Sequence, residues 1–473
     1  MSHIYYQPPD EAIQEDYGSD EGPANHGEGK DWDETELELC GAIRTNISSP
    51  CDLTGEVHPI LSNWIPAPST PSDDGPSDEV LIPELHQPLL LASRILEREA
   101  LPWFSDFFIE DIFSPSYAGY LRPFVENDRQ KDQDKTPLVI VRHHKARWAT
   151  PAMRQYWCQL AAEKLRSEEL TSRVRWSLDD SIVHTKRAYG YTPRYPHTPG
   201  EKHKIDLPDL IIEYDKLAKL RGEKGRTLTV LLMRPFARRL YDLRVMGGRG
   251  REEYCRTAFM AAVTMLHELA HVIYWQDFRA MNRRLYEPFY GGDLEMELGD
   301  SLIASIFGGW TPVLVNWTPG WHFNPTFQDG IAWCQCLNWD YHTKRPRYRA
   351  HYSIRVDYIA ALFNSRSWQT RSAKGLVRPS TLQKACIRRT ELDQRIADEG
   401  LHASAAISDF EEGEKCCKWR RPPATFFRVP AYADEVFSDD VISRVFHGLE
   451  HLGLLPPEPE AVDISMPWKY RES

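Results

Sequence analysis

Long apolar runs and paired cysteines are scarce in this 473-residue chain. No window holds about 18 uninterrupted apolar residues, so the sequence predicts no membrane span. The nine cysteines are spread thinly, which favours a reducing compartment and no disulfide scaffold. The opening MSHIYYQPPDEAIQEDYG lacks the basic start and apolar run of a signal peptide. We therefore expect an intracellular protein, cytoplasmic or nuclear, that is not secreted.

Two further sequence features are missing. No self-similarity occurs at a period of about 20–50 residues, which excludes the common repeat architectures. The glycines of Gly247–Gly250 are not followed by the Lys-Ser/Thr of a nucleotide-binding loop, so they predict a hinge rather than a phosphate site.

The net charge of −12 is distributed unevenly along the chain. Residues 1–80 contain eighteen acidic and two basic residues and are rich in Gly, Ser and Pro, which is typical of a disordered acidic tail. The remaining residues carry a small positive excess. We predict three parts: the tail at 1–80, a folded domain at 81–370 and a helical or irregular extension at 371–473.

The pattern within the body predicts an α+β fold. Short β-like runs occur at 137–142, 210–214 and 227–233, and residues 151–168 read as a helix with proline in its first turn. No Pro or Gly occurs from residue 251 to about residue 286, and the next proline is Pro288. The apolar residues of this stretch recur at alternating steps of four and three. This periodicity predicts one long helix with a buried stripe.

The stretch HELAH lies inside that long helix. Residues four positions apart share one helix face, so the imidazoles of His267 and His271 can bind one tetrahedral Zn²⁺. Glu268 lies beside them, where a carboxylate can take a proton from a zinc-activated water and pass it to a leaving amine. The alternative interpretation is two solvated or core histidines on an ordinary helix.

A zinc site of this kind needs a third protein ligand, and three acids are candidates. A second predicted helix, with Asp293 as its N-cap and its end at Gly308, offers Glu297 or Glu295. Glu297 is favoured because it shares a polar face with Asp300, which could supply a hydrogen bond to a ligating histidine. Asp277 stands ten residues after the first histidine, but we expect the helix to continue past Tyr274, which would carry Asp277 away.

A donor for the developing oxyanion is also expected. Tyr341, His342 and His351 lie downstream in a loop-rich region where such a group could be placed. Surface or core aromatic positions remain the alternative for each of them.

The residues from about Thr227 to Gly309 resemble the zincin metallopeptidases, specifically the gluzincin-like branch. This resemblance implies a mixed sheet, an active-site helix with His267, Glu268 and His271, and a second helix delivering Glu297. It also implies peptide-bond hydrolysis with Zn²⁺ as cofactor and a peptide or protein as substrate. The sequence departs from the branch where an Asp usually follows the third ligand by four residues, because Ser301 stands there. The Trp- and Pro-rich body loosely resembles zincin-like proteins of filamentous fungi.

Two other classes of function remain open at this stage. Seven arginines within residues 234–256, and further basic residues within 344–355, could form a nucleic-acid surface, as in a protease acting on chromatin proteins. Alternatively, the chain is a catalytically silent zinc-binding scaffold, which requires the same ligands. The oligomeric state is not readable from the sequence.

Overall fold

Within the residues that it describes, the computed structural model contains helices and three small sheets, with one long helix in the core. The residues it describes are 34–39, 41–45, 47, 51–66, 75–108, 121–123, 138–140, 142–145, 149–180, 182, 188–193, 208–246, 251–277, 287, 289–290, 297–314, 330–335, 350–379 and 387–389. At the level of secondary structure, this mostly helical α+β architecture agrees with the predicted fold class.

The α-helices are α1 Glu34–Leu39, α2 Asp78–Leu81, α3 His86–Ile95, α4 Leu101–Phe108, α5 Pro151–Arg166, α6 Glu168–Thr171, α7 Pro208–Leu220, α8 Arg234–Val245, α9 Arg251–Trp275, α10 Leu298–Phe307, α11 Val356–Leu362, α12 Ser365–Thr370 and α13 Ala373–Val377. The strands are β1 Leu121–Pro123, β2 Leu138–Ile140, β3 Val174–Asp179, β4 Gly190–Tyr191, β5 Leu228–Met233, β6 Phe289–Tyr290, β7 Trp310–Leu314, β8 Ile331–Gln335, β9 Ala350–Ser353 and β10 Ile387–Arg389.

The sheet nearest the long helix has the strand order β3-β5-β4. Strand β5 pairs in parallel with β3 and antiparallel with β4, so this small sheet is mixed. The predicted strand at 227–233 is confirmed as β5, which lies in the middle of this sheet. All six of its residues are buried, and the two-residue β4 forms the edge beside α9.

Helix α9 is the centre of the core. It packs against α3, α8, α10 and α11, and also against β5 and β4. It is long and apolar enough to cross a membrane by length and composition, but the whole of its apolar window is buried inside the protein. A buried core helix of this kind meets the same criterion, so the finding is weak evidence for a membrane span.

Local chemistry explains several helix ends. Helix α5 starts where the Thr150 hydroxyl accepts from the N–H of Met153 and Pro151 takes the first helical position. Helix α10 ends at Gly308, whose φ of 72° lies in the left-handed region that glycine adopts without a steric penalty. The predicted helix at 151–168 and the predicted stop at Gly308 are thus confirmed.

Three other sequence expectations need correction. The run at 210–214 is not a strand but part of helix α7. The N-cap of α10 is Glu297, four residues after the predicted Asp293, which lies outside the described residues. Helix α9 ends at Trp275, and residues 278–286, where the predicted helix continued, are likewise not described.

The acidic tail predicted for residues 1–80 also needs a partial correction, because described residues within it belong to the core. Ile60 and Leu61 are fully buried, and the Trp64 ring stacks on Trp176 with ring centroids 5.8 Å apart. The division into three domains remains a prediction, but residues 51–66 are part of the folded body.

Candidate metal centre

Helix α9 places the side chains of His267, Glu268 and His271 together in the protein interior. Their exposed fractions are 3%, 1% and 6%. The two imidazole Nε2 atoms stand 3.2 Å apart, as the four-residue spacing predicts for neighbours on one helix face. The motif is therefore neither solvated nor spread over two faces.

Glu297 completes this arrangement from the start of α10. As the N-cap residue its side chain makes no capping hydrogen bond to the helix. Its Oε1 instead lies 2.9 Å from Nε2 of His271 and 3.3 Å from Nε2 of His267. Of the two candidate acids that lie within the described residues, Glu297 and Asp277, the structure places Glu297 against both histidines.

A glycine allows α10 to come this close to α9. A Cβ at Gly299 would lie 2.5 Å from three atoms of the His267 ring, which is well inside van der Waals contact. Farther along the same interface, the rings of Phe259 and Phe307 pack edge to face at 5.9 Å. A side chain larger than hydrogen at position 299 would push the N-terminus of α10, and Glu297 with it, away from the histidines.

Glu287 is a functional candidate that the sequence analysis missed. Its Oε1 lies 2.6 Å from Nδ1 of His271 and accepts from the indole N–H of Trp275 at 2.8 Å, while its Oε2 accepts from the N–H of Leu298 at 2.9 Å. It therefore orients the His271 ring and ties α9 to α10. No periodic signal marks it, because it lies outside both helices.

The His267 ring has a similar neighbour on its Nδ1 side. Oδ1 of Asp300 lies 3.5 Å from Nδ1 of His267, and Asp300 is buried at 6% exposure. The polar helix face that Asp300 shares with Glu297 predicts such support of a ligating histidine. The position is one residue earlier than in the gluzincin pattern, and the first turn of α10 brings its side chain to the ring.

Glu268 lies under the edge strand β4. The Thr192 hydroxyl, one residue beyond β4, is 2.8 Å from Glu268 Oε2, and a Cβ at Gly190 would lie 2.6 Å from Glu268 Cγ. Burial raises the pKa of Glu268, against the opposing effects of His271, His267 and the Thr192 hydroxyl. A raised pKa suits a carboxylate that must accept a proton and give it back.

The charges around the two histidines act in one direction. Burial lowers the pKa of His271, but Glu287 and Glu297 outweigh it, so that the pKa stands well above the ordinary value. Burial likewise opposes the charged form of His267, and Asp300 and Glu297 raise its pKa above the ordinary value. The acidic groups of this pocket therefore stabilise the protonated, positively charged form of both imidazole rings.

The donor set fits a metal ion. With a metal bound, the His271 ring would be neutral, and Glu287 on Nδ1 would hold its remaining proton on that side, so that the Nε2 lone pair would be free for the ion. Oε1 is buried and has no hydrogen-bond donor within the described residues. Ligands about 2.0–2.2 Å from a tetrahedral zinc stand roughly 3.3–3.5 Å apart, close to the separations of 2.9, 3.2 and 3.3 Å.

Two overlapping groups of described residues could hold a metal ion: His267 with Glu268 and His271, and His271 with Glu287 and Glu297. Glu287 faces Nδ1 of His271, whereas His267 faces Nε2 of the same ring. One ion cannot use both edges of an imidazole. The arrangement around the two Nε2 atoms and Glu297 therefore fits better, with Glu287 as the group that orients the ring.

The other sequence candidates lie elsewhere. The carbonyl of Asp277 accepts from Arg226 Nη1 at 3.0 Å, and among the described residues Asp277 belongs to no group that could hold a metal. The expected helical continuation past Tyr274 stops after one residue. Glu295, Tyr341 and His342 lie outside the described residues, and His351 is on β9 with its side chain not described.

No family model matches this chain, and no curated protein or solved structure is significantly similar to it.

Proposed function

We propose that this chain is a zinc-dependent peptidase in which His267, His271 and Glu297 hold the metal and Glu268 is the general base. One observation carries the proposal: two imidazole nitrogens and a buried carboxylate oxygen lie 2.9–3.3 Å from one another. Such a cluster of acceptor atoms is repulsive unless a cation or additional protons neutralise it. The resemblance to gluzincin-like peptidases supplies the reaction and the peptide or protein substrate.

A zinc ion in this site would act as a Lewis acid and lower the pKa of a bound water to about 7. Glu287 would keep the proton of His271 on Nδ1 through its 2.6 Å contact, and Asp300, 3.5 Å from Nδ1 of His267, would favour the same tautomer there, so that each Nε2 would face the metal. Glu268 takes the proton of the attacking water and passes it to the leaving amine. Thr192 fixes the carboxylate during this transfer through its 2.8 Å contact.

The first experiment measures zinc per chain by mass spectrometry on tag-free protein. We expect about one zinc in the wild type and a clear loss in Glu297→Ala. Glu168→Ala is the matched control, because Glu168 is an exposed acid in the first turn of a helix. Equal zinc in wild type and Glu297→Ala would contradict the assignment of the third ligand.

The second experiment tests turnover with a library of quenched fluorescent peptides. Glu268→Gln should retain its zinc and lose about 10²–10⁴-fold of the cleavage rate, since it removes only the general base. Undiminished cleavage in that variant would exclude Glu268 from this role.

A catalytically silent zinc scaffold is the second candidate, and one observation favours it. The three motif residues are at most 6% exposed, which leaves little room for a peptide beside them in this conformation. The same peptide library decides between the two: zinc-loaded wild type that cleaves no peptide is the result expected of a scaffold.

A further inference from the structure

Two thiols face each other at the start of helix α9, away from the metal centre. Sγ of Cys51 lies 3.3 Å from Sγ of Cys255, across 204 positions of the chain. Both cysteines are free, and Cys51 is half-buried whereas Cys255 is buried. The sequence analysis gave them no role, since their separation along the chain carries no pattern.

The contact is held from both sides. Cys255 is fixed in α9, twelve residues and therefore roughly 18 Å of helix before His267. On the other side, Asp52 donates its N–H to the carbonyl of Phe363 at 3.1 Å, and Leu53 donates to the side chain of Gln87 at 3.1 Å. Because the fold already holds the two sulfur atoms close together, a bond between them costs little additional chain entropy.

We propose that Cys51 and Cys255 form a reversible disulfide that locks the segment 51–54 onto helix α9 under oxidising conditions. The two sulfur atoms need to approach by only about 1.2 Å to reach the roughly 2.05 Å of a disulfide bond. This inference goes beyond the proposed peptidase function and does not depend on it, because the pair lies three helical turns from the metal ligands.

The oxidant is a low-molecular-weight disulfide such as oxidised glutathione. The half-buried Cys51 loses its proton and attacks one sulfur of the oxidant, which releases one thiol and leaves a mixed disulfide on Cys51. The buried Cys255 then loses its proton and attacks the Cys51 sulfur, which releases a second thiol. Two protein thiols are oxidised to one disulfide, and the external disulfide is reduced to two thiols.

The surroundings keep the pair reduced until such an oxidant is present. The Cys255 thiol, burial and the nearby Asp52 all raise the pKa of Cys51, so the reactive thiolate is scarce at neutral pH. We therefore expect the disulfide to form slowly and to be stable once formed. An exposed sensor cysteine with a low pKa would react faster.

The test equilibrates full-length protein in glutathione buffers from reducing to oxidising. Samples are then quenched with acid, alkylated and mapped by peptide mass spectrometry. We expect the cross-linked Cys51–Cys255 peptide to dominate in the oxidising buffer and to disappear on reduction. Cys158→Ser, which removes a half-buried thiol on α5, should leave the cross-link unchanged, whereas Cys51→Ser should abolish it.

Thermal unfolding gives a second measurement on the same samples. Closing so long a loop should raise the unfolding midpoint of the wild type by roughly 5–10 °C on oxidation. Cys51→Ser should fold and show no such rise. The inference is overturned if both thiols of the native protein alkylate freely in the oxidising buffer, or if Cys51 is recovered only with glutathione or another cysteine. Zinc per chain, measured separately, reports on the metal site alone.

Discussion

Two of the buried polar clusters on helix α9 differ in whether their hydrogen-bond donors and acceptors are matched. The cluster in its middle brings together two imidazole nitrogens and Glu297 Oε1, a buried oxygen with no hydrogen-bond donor within the described residues. The cluster at its C-terminal end is built around Arg226, which, like its partner Asp215, has a side chain only 1% exposed. Both clusters place charge in the core.

The Arg226 cluster is self-contained. Its Nε and Nη2 donate to the two carboxylate oxygens of Asp215 at 2.7 and 2.6 Å. Its Nη1 donates to the carbonyls of Trp275 and Asp277 at 2.6 and 3.0 Å. These carbonyls lie at the C-terminal end of α9, where no later N–H of the helix is available to them. The guanidinium group thus donates to acceptors that match its geometry, and the charge of Arg226 is neutralised within the protein.

This difference in matching distinguishes a cluster that stabilises the fold from one that could bind a ligand. A buried cluster whose donors and acceptors match stabilises one conformation and needs no ligand. A buried cluster of acceptors leaves a cost that bound protons or a cation can remove. On this basis the Arg226 cluster terminates the helix, and the cluster of His267, His271 and Glu297 is the candidate metal site.

Breaking the self-contained cluster should have the largest effect. Arg226→Met leaves the Asp215 charge buried without its partner, which should lower the free energy of unfolding by about 3–5 kcal/mol. Urea denaturation measures the change. Arg221→Met is the control, because that exposed arginine pairs with Glu223 at the surface and should cost no more than about 1 kcal/mol. Similar losses in both variants would contradict the comparison.

Metal addition should affect only the acceptor cluster. Zinc at about one hundred times its dissociation constant should raise the free energy of unfolding by about 2.7 kcal/mol, and a chelator should reverse this. The increment should vanish in Glu297→Ala and persist in Arg226→Met, as measured by thermal denaturation of matched samples. Zinc that stabilises Glu297→Ala as much as the wild type would show that another group holds the ion.

The orienting role of Glu287 predicts a smaller loss. Glu287→Gln should weaken zinc affinity about 10–100-fold while one ion still binds at saturation, because the His271 ring loses its charged anchor but keeps Nε2. Competition with a chromophoric chelator measures the affinity, and Glu163→Gln, at an exposed position of helix α5, is the control. Complete loss of binding at any zinc concentration would make Glu287 a ligand.

A histidine outside both clusters should respond to acid. Burial, aided by Arg166, lowers the pKa of His58 to about 4. Its unfolded form therefore binds a proton before its folded form, and stability present above about pH 6.5 is lost as the pH falls towards 4. Between pH 7 and 5.5 this one group should cost about 1 kcal/mol.

The measurement is urea denaturation of wild type and His58→Gln at both pH values. The variant should lose less stability on acidification, whereas the exposed His86→Gln should behave as wild type. Equal pH dependence in wild type and His58→Gln would refute the role of His58. His271 forms the contrast, because the carboxylates around it raise its pKa.

Periodic features were readable from the sequence because they depend on neighbours along one helix. The pairing of His267 with His271 follows from 3.6 residues per turn, and the stop of α10 follows from Gly308. Short apolar runs were not readable in this way. Residues 210–214 suit a strand or a helix equally by pattern, and the tertiary environment selected helix α7.

Average composition misled the assignment of residues 51–66. They hold seven apolar side chains among sixteen residues, but the acidic residues on either side dominate any average over the first 80 positions. The core nevertheless accepts Ile60 and Leu61, and Trp64 finds Trp176 as its partner. Contacts at such sequence separations leave no local signature.

The sequence by itself determined the two imidazoles on one face of a helix, the adjacent carboxylate and the choice of an acid near position 297. Tertiary structure alone decided that Glu287 anchors His271, that Thr192 meets Glu268, and that Cys51 meets Cys255. The physical reason is range. Helical spacing is set by backbone geometry over four residues, whereas these contacts depend on how separate elements pack across the core.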